Sequence, residues 1–109
     1  MITAALTAIV LSSAIAVSID DVDVISLQNA GGEYLRKAYQ SKDVLSATSI
    51  KYTFYFSETE GNDTIVGLSL YGAGASVTLG DGTEFAEQVV NIAKTATTSL
   101  LIYWTVEVV

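Results

Sequence analysis

The chain has 109 residues, half of them hydrophobic, and contains no histidine, cysteine or proline. That length fits one domain, 1–109, which is apolar enough to fold without disulfides or metal. The missing residue types exclude Ser-His-Asp and Cys-His catalysis, thiolate or imidazole zinc sites and Fe–S clusters. The formal net charge of −7 opposes binding to nucleic acid and to anionic membranes, so we expect neither as a partner.

The N-terminal segment is uncharged from Met1 to Ile19 and has three interpretations. A signal peptide spanning 1–16 would end at a small-x-small site, but no Lys or Arg precedes the apolar run. A membrane span needs about 20 apolar residues, and this run is shorter and contains several Ser and Thr. A buried helix would place Thr3, Thr7 and Ser18 on one narrow stripe and pack the Ala, Leu, Ile and Val surface on a sheet, and we adopt this third interpretation, with the helix over about 2–16.

The next segment alternates polar and apolar residues, which predicts a strand from near Val17 to Leu27. Residues 28–43 are less regular and include a turn at Asn29–Gly32. We predict a solvated loop in which basic side chains balance nearby carboxylates. Three of the five basic residues lie there: Arg36, Lys37 and Lys42.

The clearest strand is Ile50–Ser57, where large apolar residues alternate with polar ones. Turn residues follow at 58–63, and the alternation resumes from Thr64 to Tyr71. We predict that these two strands form a hairpin with a long turn. Glycine pairs then bracket a predicted short strand, Val77–Leu79.

The C-terminal third predicts two more strands. Glu84–Lys94 is compatible with strand or helix, and Val89–Ile92 favours strand. Ser99–Val109 has a regular apolar face and only one charge, Glu107. A long strand of this kind would be an aggregation hazard as an open edge, so we expect a partner chain to cover it.

These elements together predict a mainly β fold: an antiparallel β-sandwich, jelly-roll-like, over about 17–109, preceded by the helix. The apolar faces of the two clearest strands supply the candidates for core or interface contacts. These candidates are Tyr52, Phe54, Phe56, Leu100, Ile102, Trp104 and Val106.

Acidic side chains cluster in three predicted turns, and calcium binds carboxylates in such loops. None of the clusters has the ligand spacing of an EF-hand, and exposed turns in an acidic protein carry such residues anyway. Glu58 and Glu60 resemble an acid/base pair in spacing, but a solvated turn does not shift a carboxyl pKa toward neutrality. We therefore predict no catalytic residue, no metal site and no cofactor. The clusters are Asp20, Asp21 and Asp23; Glu58, Glu60 and Asp63; Asp81 and Glu84.

The order of several short motifs resembles that of small tailed-bacteriophage virion proteins, with related modules in tail-fibre and baseplate proteins. One departure is that Gly67 stands where these relatives commonly have Glu, and Ser69 where they commonly have Gly. The motifs, in chain order, are Met1-Ile2-Thr3, Glu33-Tyr34-Leu35-Arg36, Glu60-Gly61-Asn62, Leu68-Ser69-Leu70-Tyr71-Gly72, Asp81-Gly82-Thr83, Lys94-Thr95, and Ser99-Leu100 with Tyr103-Trp104.

The resemblance implies a non-enzymatic virion structural protein of the tail, neck, fibre or baseplate. Its partners would be copies of itself, in a trimer or ring, and other virion proteins. A capsid decoration (cement) protein is an alternative within the virion. A different class, an exported bacterial surface binding domain, would have residues 1–16 as its signal peptide.

Overall fold

The computed structural model describes residues 5–15 and 19–108, and within these ranges the chain forms eight strands and no helix. None of the described segments is a helix that could cross a bilayer. The strands are β1 (Ala5–Ile15), β2 (Val22–Asn29), β3 (Gly32–Ala38), β4 (Ser41–Ser46), β5 (Ser49–Phe56), β6 (Asp63–Gly72), β7 (Thr83–Lys94) and β8 (Thr98–Val108).

The strands form two four-stranded sheets, which confirms the prediction of a mainly β fold. Sheet A has the order β1-β8-β5-β4, and sheet B has the order β3-β2-β6-β7. Every neighbouring pair is antiparallel except β1 and β8, which are parallel. The hairpins β2–β3, β4–β5 and β6–β7 each stay within one sheet, and the chain changes sheet between them.

Apolar side chains from both sheets meet in a single hydrophobic core. Sheet A contributes the largest of them, including Trp104 and Phe54, and sheet B contributes Leu68 and Leu70. Since alternate residues of a strand point to opposite faces, the inward-facing side chains pack in this core and the others face outward. The outer faces of the two sheets, the sheet edges and the loops are therefore the surfaces on which a binding site can form.

The predicted helix over 2–16 is wrong, because residues 5–15 form strand β1. Ile9 and Leu11 pack against the core and Ile15 is buried in it, which is the two-residue period of a strand. Pairing with β8 along all eleven residues outweighs the helix-like stripe, since tertiary contacts routinely override local preference. Residues 1–4 and 16–18, which include the start of the predicted helix, the cleavage site and Val17, lie outside the described residues, as does Val109.

The predicted hairpin between Ile50–Ser57 and Thr64–Tyr71 is also wrong. Both strands form, as β5 and β6, but β5 belongs to sheet A and β6 to sheet B. The 57–62 segment therefore connects the two sheets rather than closing a hairpin. The predicted short strand Val77–Leu79 is likewise absent from the described chain, where 73–82 is an irregular loop between β6 and β7.

The C-terminal strand is not an edge. β8 lies between β1 and β5 in sheet A, so the chain's own N-terminal strand covers the side for which a partner was expected. The predicted loop over 28–43 is also wrong, because this segment contains β3 and the start of β4. Arg36 is buried in β3 rather than solvated.

Candidate binding site on the outer face of sheet B

Polar side chains are buried on the outer face of sheet B, where solvent-exposed residues would be the rule. Ser26 on β2 and Ser69 on β6 are opposite each other and fully buried. Arg36 is opposite Ser26 on β3 and is only 4% exposed. Buried polar groups must be hydrogen-bonded to be tolerated, so this face carries a built network rather than a plain surface.

Arg36 holds the β6–β7 loop (73–82) against sheet B. Its Nη1 donates to the backbone oxygens of Asp81, at 2.6 Å, and Ser76, at 3.2 Å. Its guanidinium carbon lies 4.1 Å from the centre of the Tyr71 ring, a cation–π contact. Nη2 is buried and has no hydrogen-bond partner among the described residues. The loop is also fixed by Asp23, whose Oδ2 accepts from the backbone of Gly74 and Ala75.

Glu33 is the anion that balances Arg36. Its Oε2 accepts from Arg36 Nε at 2.8 Å and from the Ser26 hydroxyl, and its Oε1 accepts from Gly80 N at 2.8 Å. Burial opposes ionisation of this carboxyl, but the hydrogen bonds from Arg36, Ser26 and Gly80 outweigh it, and the pKa is lowered. Glu33 is therefore a fixed carboxylate that closes the loop.

A bulge explains why Glu33 and Arg36 share a face although they are three positions apart. Leu27 and Gln28 are successive on β2, but their partners on β3 are Leu35 and Glu33. The extra residue of β3, Tyr34, reverses the alternation at this point. A strict two-residue period would place the two charged residues on opposite faces.

Gly67 forms the floor of a cleft beside this network. A Cβ at Gly67 would collide with Oε1 of Gln28, which crosses the glycine so that its Nε2 donates to Ser69 Oγ at 2.8 Å. Gly67 and Ser69 are thus joined through the Gln28 side chain. The missing side chain at Gly67 is what leaves room for Gln28 and for the cleft.

The cleft has a volume of about 470 Å³ and lies between β3 and β7. Its wall on the β7 side carries Glu84, Glu87 and Val89, and Tyr71 lies beneath. The pKa of Tyr71 is raised, first by burial and then by Glu84 and Glu33. The shifts at Glu33 and Tyr71 both move away from neutral pH, opposite to what general acid or base catalysis needs. The arrangement is suited to binding a ligand that offers hydrogen-bond donors or positive charge.

The acidic clusters singled out in the sequence do not assemble into one site. Glu60 accepts from Lys37 at 2.6 and 2.8 Å, and this bond, with that from Ser57 N, lowers its pKa. Glu60 is therefore held as a carboxylate by Lys37 and Ser57. Across the described ranges, no three Asp or Glu side chains are placed to hold a metal ion. Lys42, on β4 of sheet A, donates from Nζ to the Asp20 carbonyl at 2.7 Å, whereas Arg36 is on β3 of sheet B.

The seven core or interface candidates lie between the sheets and away from the cleft. All are fully buried, and they come from the neighbouring strands β5 and β8, where Tyr52 pairs with Trp104, Phe54 with Ile102 and Phe56 with Leu100.

Sequence reasoning missed the residues that build the cleft. Glu33 and Arg36 stand in the segment interpreted as a loop, and the bulge hides their common face.

Comparison of the chain with models of protein families, with curated proteins and with solved structures found no match. The function is therefore inferred from the sequence and from the surfaces described above.

Proposed function

We propose that this chain is a non-enzymatic structural component of a tailed-bacteriophage virion, in the tail, neck, fibre or baseplate. It assembles with copies of itself, as a trimer or ring, and with other virion proteins. The virion class is supported by the sequence resemblance. The single structural observation that supports assembly is the exposed apolar surface of β1, where Val10 is 78% and Leu6 58% exposed.

β1 has the properties of an edge strand that is covered by another protein chain. It is an edge strand of sheet A, it carries no charge over its eleven residues, and soluble proteins usually guard such edges with charged side chains. Within the described chain, Gln88 Nε2 donates a hydrogen bond to the backbone oxygen of Ser12 at 3.2 Å, which covers this edge at one residue. The part around Leu6 and Val10 gains stability when another sheet packs on it.

The fold proposed for this component is a jelly-roll-like β-sandwich. Eight described strands in two four-stranded sheets around one core match the strand count of that architecture. The parallel β1–β8 pair is a departure from a fully antiparallel arrangement. It places the N-terminal strand beside the last one.

Two alternatives compete with the tail assignment. A capsid decoration protein would use the same self-associating faces. An exported surface binding domain would lose residues 1–16, and with them β1, which would uncover one side of β8. That loss would expose a long apolar strand edge, and it therefore favours the virion proposal.

The test combines location and mass. Peptide mass spectrometry of purified virus particles from cells that carry the gene should detect the chain, and its abundance relative to the major capsid protein separates decoration from tail. Light scattering of the pure chain should give a mass above the monomer. N-terminal sequencing of natural material that begins after Ala16 would overturn the proposal in favour of export.

A further inference from the structure

The four edge strands of the two sheets differ in how they are protected against pairing with another chain. β4 has only six residues, carries Lys42 and Asp43, and has a register shift between Val44 and Ser46. β3 and β7 also carry charged side chains and register shifts. β1 has neither, since its eleven residues are uncharged and pair with β8 without a shift. Charged side chains, short length and bulges are the usual means of blocking an edge, so β1 is the described edge that is open to a further strand.

The backbone of β1 presents every second residue to this open edge. The Ser12 carbonyl accepts a hydrogen bond from Gln88 of β7, so it points away from β8. The N–H and C=O of one residue lie on the same side of a strand, and successive residues alternate, so Leu6, Ala8 and Val10 also direct their backbone groups outward. Gln88 covers the edge at Ser12, and the stretch from Leu6 to Val10 is where another strand can pair.

The side chains of the same stretch are complementary to a second copy of themselves. Leu6 and Val10 are the two large exposed hydrophobic residues of β1, and Ala8 lies midway between them. Two antiparallel copies of β1 that are centred on Ala8 place Leu6 of each copy opposite Val10 of the other. Apolar residues directly opposite each other stabilise an antiparallel pair, and the small Ala8 side chains meet at its centre.

The charges of sheet A lie away from this stretch. Glu107 is beside Ala14, near the other end of β1, and Lys51 and Asp43 are on β5 and β4. Two chains with a net charge of −7 each repel one another, so contact between copies is favoured where charge is absent. A basic partner would find no carboxylate to pair with on this stretch or on its register neighbours, whereas a second copy matches its apolar side chains and their spacing. The register neighbours on β8 are Ser99, Leu101 and Tyr103.

We propose that β1 of one copy pairs antiparallel with β1 of a second copy, centred on Ala8, so that the two A sheets join into one continuous sheet. This inference rests on the proposed self-association and names the strand that performs it. The pairing forms roughly six backbone hydrogen bonds, because three pairs of opposed residues exchange two each. The contact is two-fold and closes as a dimer, so a ring would be assembled from such dimers through a second contact.

Cysteine crosslinking tests the strand register, because the chain has no cysteine of its own. A8C should oxidise to a disulfide-linked dimer, since the Cα atoms of opposed residues lie about 5.5 Å apart, within reach of a disulfide. L6C and V10C should each fail to crosslink alone, because the two copies of each cysteine are offset by four residues, roughly 13 Å, but they should crosslink when mixed. V44C, on the edge strand β4 and 68% exposed, is the matched control and gives the level of random crosslinking.

A charge placed on the edge provides the second arm. Val10→Asp should weaken dimerisation of the full chain about tenfold, measured by sedimentation equilibrium, because the carboxylate lies opposite an apolar residue in the pair. Val44→Asp has the same net charge and should associate as the wild type does. Circular dichroism should show the same strand content for both variants, since both side chains are exposed. Added salt should strengthen association of the wild type by screening the repulsion between the acidic copies.

Two kinds of result would overturn the inference, and they differ in what they say of the proposed function. A chain that associates while Val10→Asp has no effect, or while A8C crosslinks no more than V44C, uses other surfaces, and the proposed function then stands. Strong crosslinking of L6C with itself would likewise exclude the antiparallel register. A wild-type chain that stays monomeric at all concentrations removes the support for self-association as well.

Discussion

Trp104 Nε1 donates a hydrogen bond to Ser13 Oγ at 3.0 Å and so joins strands β8 and β1 across 91 positions of sequence. The indole is fully buried, and a buried N–H of this kind normally requires an acceptor. β1 thus supplies the hydrogen-bond acceptor for the indole N–H of the largest core side chain.

Ser13→Ala should therefore destabilise the fold by about 1–3 kcal/mol, because it leaves the Trp104 N–H buried without an acceptor. Urea unfolding followed by the fluorescence of the single tryptophan measures the change. Ser12→Ala is the matched control, since the Ser12 side chain is exposed and its change should stay within about 0.5 kcal/mol. Equal effects of the two substitutions would contradict the β1–β8 register.

Trp104→Ala removes the whole indole from the core and should cost about 3–5 kcal/mol, a large part of the stability of a small domain. The measurement is the midpoint of urea unfolding by circular dichroism, because the variant lacks the fluorescent reporter. A change near zero would show that β8 does not face the core as described.

Glu33 should make the stability depend on acid pH. Its pKa is lowered in the folded state, so its contribution is present above the ordinary value of 4.5 and is lost as the pH falls through the folded value. Unfolding free energies measured from about pH 6 to about pH 3 should fall less steeply for Glu33→Gln than for the wild type. Glu107→Gln, at an exposed strand end, should keep the wild-type slope, and an equally flat profile there would refute the assignment to Glu33.

Tyr52 should control part of the alkaline stability. Burial raises its pKa from 10.0 to about 12, and its hydroxyl donates to the Ile19 carbonyl at 2.7 Å. Its contribution is thus complete below pH 10 and is lost as the pH rises to about 12. Tyr52→Phe should lose about 1 kcal/mol at neutral pH and show a shallower alkaline decline. Tyr55→Phe, on the outer face, serves as the control and should follow the wild type.

The Val89–Ile92 run favours strand for the segment that forms β7, which is otherwise compatible with a helix. The alternation of apolar residues predicts β5, β6 and β8 within one or two residues. These strands are well marked because one of their faces enters the core while the other does not, as Tyr52 and Lys51 illustrate. The apolar period does not say which strands pair. A connection of six residues, 57–62, serves a hairpin or a change of sheet equally well.

The N-terminal strand and the cleft could not be predicted for a different reason. β1 is held by its pairing with β8, which is almost the full chain length away, so no local pattern records it. The cleft depends on a bulge at Tyr34 and on the space left by Gly67. Both are properties of paired strands and are invisible in either strand alone.

Gly72 should tolerate no side chain, because it ends β6 where the chain passes the backbone of the segment before β2. A Cβ there would collide with the carbonyl oxygen of Asp21 and come within 2.6 Å of the Phe85 ring. Asp21 cannot withdraw easily, since Val22 next to it is buried and paired with Gly72, and the same carbonyl accepts from Ala73 N at 3.2 Å.

Gly72→Ala should therefore cost about 1–3 kcal/mol, as overpacked positions do, and lower the melting temperature by several degrees in a domain of this size. Gly31→Ala is the matched control, because its Cβ would meet only the Asn29 side-chain oxygen, at 3.3 Å and in an exposed turn, where a shift of a few tenths of an ångström relieves the contact. Thermal unfolding by circular dichroism compares the two. If both variants melt with the wild type, the β2–β6 pairing cannot end as closely on Asp21 as the structure shows.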